Sequence, residues 1–193
     1  MNEYITNTLK SLKETYNIEL DNNLNTPIDI EWEHLKNSRI VIKKEVWEAL
    51  QNIALTTQID TKEVGFLLYG KEFLPNQVYI NNIELSTSPL KSIETEFDEG
   101  ITENLKTKID ENLDERTLVA HGHSHPKISD DYDKFSLKDL SNLVELTYQV
   151  EDFKTKEMQL IGCLITPDLP IKFIYYNPEN NKFLDFERIE IEE

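Results

Sequence analysis

TLVAHGHSHP, residues 117–126, is the stretch on which the reading of this chain turns. Its first four residues form a short apolar, partly β-branched run of the kind that makes a buried strand, and the histidines follow at the strand's end. In an extended backbone alternate side chains share a face. His123 and His125 can therefore present their imidazoles to one metal ion while Ser124 points away. Neutral imidazole nitrogens bind zinc at about 2.0–2.1 Å, and catalytic zinc sites commonly use three protein ligands and leave one position open. The candidate third ligand is Asp139 in SLKD, residues 136–139, on a following helix that can return over the strand end. A histidine-rich turn can also be a solvated polar tract. His121 shares the alternation and is read as a supporting or structural group, and His34 is given no functional role.

Outward from this stretch, periodicity divides the chain. RIVI (39–42) reads as a strand, and KKEVWEALQNIALTT (43–57) sets Val46, Leu50 and Ile53 at helical spacing. VGFLLYG (64–70) and QVYINNIEL (77–85) suggest adjacent strands, with Glu63 immediately before the first. In the charged segment 98–116, Ile101, Leu105 and Ile109 recur every four residues, as on an amphipathic helix. SLKDLSNLVELTYQV (136–150) predicts a further helix. MQLIGCLITP, IKFIYYN and KFLDFERIEI look like closing strands separated by Pro and Asn turns. Residues 1–36 are polar and acidic and read as an N-terminal extension of uncertain order, ahead of a single domain over 37–193.

Composition narrows the function classes. A length of 193 residues suits one domain with modest extensions, and 38% hydrophobic residues suffice for a core. With 37 acidic against 20 basic side chains the formal charge is −17, which repels phosphate backbones and anionic lipid heads. Neither nucleic acid nor membrane is an expected partner. Cys163 is the only cysteine, so neither an intrachain disulfide nor a cysteine-rich zinc knuckle can form. The N-terminal residues lack a signal-like apolar core, so a soluble cytoplasmic protein is the expectation. Oligomeric state is not legible.

Taken together, EVGFLLYG (63–70), TLVAHGHSHP and SLKD resemble the JAMM, or MPN-plus (JAB domain), zinc metalloprotease family, with matching element order over roughly residues 39 to 176. That family's pattern is a glutamate before a G-F/L-L-like strand, then H-S/T-H-P, then S-x-x-D. The matching positions are Glu63, His123, Ser124, His125, Pro126, Ser136 and Asp139. The resemblance implies an α/β fold: a curved mixed sheet sandwiched by helices, with a zinc site at the sheet edge. It further implies one zinc ion per chain held by His123, His125 and Asp139, with Glu63 as proton-transfer base and Ser136 as oxyanion donor. The activity implied is that of a metallo-isopeptidase or peptidase cleaving after the C-terminal tail of a ubiquitin-like protein. One departure stands out: nine residues, Lys127 to Phe135, separate Pro126 from Ser136, a longer gap than is commonest in the family. Asp130, Asp131 and Asp133 in that loop are competing ligand candidates. Two other classes fit the residues less well. A non-catalytic MPN scaffold would usually lack these ligands, and a binuclear metallophosphoesterase, which shares a GHxH segment, needs further D-x-H, G-D and G-N-H-[DE] pieces that are absent from the sequence.

Overall fold

The structure, a computed structural model, describes residues 3–20, 23–74, 76–85, 117–151 and 160–193. In chain order these contain α1 (Glu3–Tyr16), β1 (Glu33–Lys43), α2 (Lys44–Asp60), β2 (Gly65–Leu74), β3 (Gln77–Leu85), β4 (Thr117–Ser124), α3 (Leu137–Glu151), β5 (Ile161–Ile165), β6 (Lys172–Asn177) and β7 (Lys182–Glu192). The helix expected around Ile101, Leu105 and Ile109 lies outside the described residues.

Hydrogen bonding runs β1-β3-β2-β4-β5-β6-β7 and returns to β1, closing a seven-stranded barrel. The pairings are mixed: β1 is parallel to both β3 and β7, β4 is parallel to β5, and the remaining neighbours are antiparallel. This corrects the expected α/β architecture of a curved mixed sheet sandwiched by helices with a zinc site at its edge. The described residues form a mostly sheet fold with three helices, and the sheet has no edge to carry a site. The cause of closure is strand length. β1 and β7 each run 11 residues, so β7 can pair with β1 from Glu33 to Lys43 while Arg39–Ile42 still pair with β3. Closure satisfies backbone groups that an open edge would leave to solvent or to another chain. β1 accommodates this with an irregularity between Leu35 and Arg39, where Asn37 takes a left-handed φ of 58° that asparagine tolerates. At the bulge between Tyr69 and Gly70 a Cβ on Gly70 would lie 1.7 Å from the Tyr79 carbonyl oxygen, so only glycine fits.

Two apolar clusters follow from the two faces of the strands. The larger gathers one face of all seven strands, including Ile40, Phe66, Val78, Ala120, Cys163, Phe173 and Leu184, around Val46, Leu50 and Ile53 of α2. The smaller covers the opposite face of β5, β6 and β7, where Leu164, Ile174, Tyr176 and Phe183 meet Leu9 and Leu12 of α1 and Leu140, Leu143 and Val144 of α3. β5 is therefore buried along its whole length, which explains why IGCLI is continuously apolar instead of alternating. Residues 1–36 contribute to this second cluster: Leu12 is fully buried, and Ile28 joins it from the segment after α1. No helix among the described residues is long and apolar enough to cross a membrane.

Candidate metal centre

The site forms at the C-terminal end of β4, between β2 and β5. His123 pairs with Gly65 on one side and Leu164 on the other, so two ladders fix its backbone. The ladder continues past the strand's end, because His125 N–H donates to the Ile165 carbonyl at 3.0 Å. Gly122, between His121 and His123, has a packing reason: a Cβ there would come within 2.4 Å of the Phe66 ring and 2.8 Å of Cys163 Cβ. Alternation then turns both imidazoles to one place. Their Nε2 atoms lie 2.9 Å apart, and Asp139 Oδ1 stands 3.3 Å from His123 Nε2.

This triad fits a metal. One donor atom from each of His123, His125 and Asp139 lies within 4.8 Å of the others, and no other such group occurs among the described residues. Ligands about 2.1 Å from a tetrahedral zinc lie about 3.4 Å apart, so the observed spacing needs only small adjustments. The stronger test is what the remaining polar atoms do. His125 Nδ1 lies 3.0 Å from the Tyr132 carbonyl oxygen, which can only accept, so Nδ1 carries the proton and Nε2 the free lone pair. Asp139 Oδ2 accepts from the Ser136 N–H and the Ser136 hydroxyl, both at 2.7 Å, which leaves Oδ1 for the metal. Each outer contact thus points a ligand atom inward. Two of the three loop carboxylates that competed for this role have lysine partners, Asp131 with Lys134 at 2.8 Å and Asp133 with Lys172 at 2.9 Å, and none of the three joins the triad.

Charges within the triad are coupled. Burial opposes the protonated form of His123, but the carboxylates of Asp139 and Glu63 outweigh it and raise its pKa. Burial likewise opposes the Asp139 anion, yet His123, His125 and the bond from Ser136 hold its pKa well below the usual carboxylate range. Burial and the nearby His123 bring His125 down to about 4. The metal-free site therefore favours an anionic Asp139 against a protonated His123, and a metal ion would displace that proton.

Glu63 stands just outside the triad, with Oε1 3.5 Å from His125 Nε2. Burial raises its pKa, countered in part by the charge of His123. Ser124, whose side chain faces away from the imidazoles, is what brings Glu63 here. Its backbone N–H donates to the Val64 carbonyl at 3.0 Å, its Oγ accepts from the Val64 N–H at 2.9 Å, and the same hydroxyl bonds Thr57 of α2. Ser136 caps α3: Asp139 N–H donates to its Oγ at 3.2 Å, and the Asp139 carboxylate bonds back to the Ser136 N–H, a reciprocal capping box. His121 is buried and held neutral, its pKa brought down to about 3 by burial and by the His123 charge, and lies outside the triad. His34 pairs with Asp185 on β7. A cleft of about 210 Å³ opens over the site, with Glu63, His125, Ser136 and Asp139 in its wall beside Pro27 and Tyr132.

No family model matches this chain, and no curated protein matches it. Among solved structures, it is similar to the solution structure of protein DSY2949 from Desulfitobacterium hafniense, with 14% sequence identity, a TM-score of 0.46, and coverage of 80% of this chain and 93% of that one.

Proposed function

We propose that this chain is a zinc-dependent hydrolase of amide or isopeptide bonds, acting in the cytoplasm after the C-terminal tail of a ubiquitin-like protein. The observation that carries the reading is the outward satisfaction of the triad. The Tyr132 carbonyl holds His125 Nδ1 and Ser136 holds Asp139 Oδ2, so the inward atoms of both residues are left to share a cation with His123. Three ligands leave a position open, as hydrolytic zinc sites do. The substrate class rests on the resemblance of Glu63, His123, His125, Ser136 and Asp139 to the JAMM pattern.

Zinc held there would supply Lewis acidity and bring a water's pKa toward about 7. Glu63 has the placement and the raised pKa of a group that takes a proton from an attacking water and returns it to the departing amine. Ser136 now donates its hydroxyl proton to Asp139. Its service as an oxyanion donor requires trading that bond for one to substrate, which leaves Asp139 Oδ2 still bonded by the Ser136 N–H.

The test joins metal content with cleavage of fusions to ubiquitin-like proteins. Wild type should carry about one zinc per chain. Glu63→Gln should keep that zinc while turnover falls by about 10²–10⁴-fold, the usual contribution of a general base. Two tightly bound metals, or wild-type turnover in the Glu63→Gln protein, would overturn the assignment. Zinc bound without cleavage of any fusion would favour a partner-binding protein.

A further inference from the structure

The segment joining α1 to β1 makes a set of contacts whose target is α3. An isolated helix leaves its first N–H groups without intrahelical acceptors. In α3 two of them go to this distant strap: Leu137 N–H donates to the Thr26 carbonyl at 3.0 Å, and Lys138 N–H donates to the Leu24 carbonyl at 2.8 Å. The next, Asp139 N–H, goes to Ser136 Oγ. A return bond runs from Ile28 N–H to the Phe135 carbonyl at 2.9 Å, and Pro27 bridges Ser136 as in an antiparallel sheet. The strap is itself anchored. Ile28 is 4% exposed within the cluster that contains Phe135, Leu137 and Leu140, and Asp29 pairs with Lys134 at 2.9 Å. Trp32 packs edge-on against Tyr16 and Phe183, with ring centroids 5.6 and 5.9 Å away.

We infer that the strap Leu24–Ile28 is a positioning element of the metal centre, whose backbone fixes the start of α3 and so sets Asp139 against His123 and His125. The need for it lies in the loop Lys127–Phe135, which leaves β4 and must deliver Ser136 and Asp139 back to the strand end. Ser136 and Asp139 hold each other by local bonds, but those bonds do not place the pair relative to β4. The strap bonds flank Ser136 on both sides, at Phe135 and at Leu137 and Lys138, and tie that turn to the second apolar cluster. Asn25 and Pro27 of the same segment enter the cleft wall, so the strap also shapes the approach to the site. The inference rests on the metal-centre reading above for its consequence, but the bonds themselves can be tested without metal.

The test compares Ile28→Ala, which loosens the strap's anchor without touching a ligand, with Val46→Ala in the cluster around α2, away from the strap. Hydrogen exchange on the metal-free full chain reads the strap directly. In wild type the Leu137 and Lys138 amides should be protected, in Ile28→Ala selectively less so, and in Val46→Ala unchanged relative to the rest of α3. Cobalt and zinc titrations read the consequence. Ile28→Ala should weaken affinity by up to about tenfold, below the range for direct loss of a ligand's own partner, and should alter the visible spectrum of bound cobalt. Val46→Ala should lower the melting temperature while leaving affinity and spectrum as in wild type. Unprotected Leu137 and Lys138 amides in wild type, or equal effects of the two substitutions on metal affinity, would overturn the inference. If wild type binds neither cobalt nor zinc, the metal-centre reading fails and the strap is not a positioning element for it.

Discussion

The two halves of the candidate metal centre are held by different means. His123 and His125 stand at the end of a strand paired on both sides, so the same ladders that close the barrel fix their backbone. Asp139 and Ser136 stand where a loop becomes a helix, and hold their place through one capping box, the strap carbonyls and the ion pairs of the loop. The first half inherits rigidity from the fold. The second has it assembled from separate polar contacts, and it should fail first when those contacts are removed.

The sharpest way to break this comparison is to remove one ligand from each half. His125→Ala and Asp139→Ala should both lose zinc through dialysis, since each deletes one of three proposed ligands. They should differ in the metal-free protein. His125→Ala leaves the ladders intact and should cost about 1 kcal/mol, the centre of the range for single substitutions. Asp139→Ala strips the acceptor from two Ser136 donors and removes the partner of His123, which then gives up its proton, for a loss of about 1–3 kcal/mol. Urea unfolding of the two metal-free proteins measures the difference. Equal losses would mean that the two halves are equally dependent on their ligands.

A smaller effect tests the junction between Glu63 and β4. Ser124→Ala orphans the Val64 N–H and removes the bond to Thr57, at a cost of about 1–3 kcal/mol. Because Glu63 precedes Val64 and is no member of the triad, its placement should suffer more than the metal's. The expected result is a fall in turnover together with a zinc affinity close to that of wild type. A loss of zinc as large as the loss of turnover would show that Ser124 supports the ligands instead.

How much of this could be read from the sequence follows the same division. The strands were legible because RIVI, VGFLLYG and QVYINNIEL carry β-branched and apolar residues in short bounded runs, and the helix of α2 because Val46, Leu50 and Ile53 recur at its period. Closure was not legible. Whether β7 reaches β1 depends on pairing between residues some 150 positions apart, as at Glu33 and Leu184, and no local pattern encodes it. In the site, Asp139 was one candidate beside several loop acids, while His123 and His125 announced themselves by residue type and alternation. The atoms that orient them did not, because the carbonyls of Tyr132, Thr26 and Leu24 are backbone groups that any residue could supply. Ser124 had a signal that was missed: a hydroxyl inside a buried strand needs a partner, and one facing away from the metal must find it in the neighbouring elements.

The mildest test concerns the loop itself. Tyr132 supplies the carbonyl that fixes His125, and its own hydroxyl donates to Asp168 Oδ1 at 2.7 Å, while Lys127 reaches Asp168 Oδ2 at 2.6 Å. Asp168 lies between β5 and β6, so this cluster ties both ends of the loop's first turns to the barrel. Lys127 and Asp168 are solvent-exposed and Tyr132 is half-buried, and surface pairs of that kind contribute little to global stability. Asp168→Ala should therefore leave the melting temperature nearly unchanged. Its effect should appear at one remove: with Tyr132 less restrained, the Nδ1 bond of His125 loosens and zinc affinity falls, by less than the roughly tenfold lower limit for direct loss of such a partner. Raising the ionic strength should reproduce part of that fall in wild type and much less of it in Asp168→Ala, because salt screens a pair that the variant no longer has. Zinc titrations of both proteins at low and high salt measure this directly. The same salt dependence in both would show that the Asp168 cluster does not reach His125, and would leave Tyr132 held by the strap side of the loop alone.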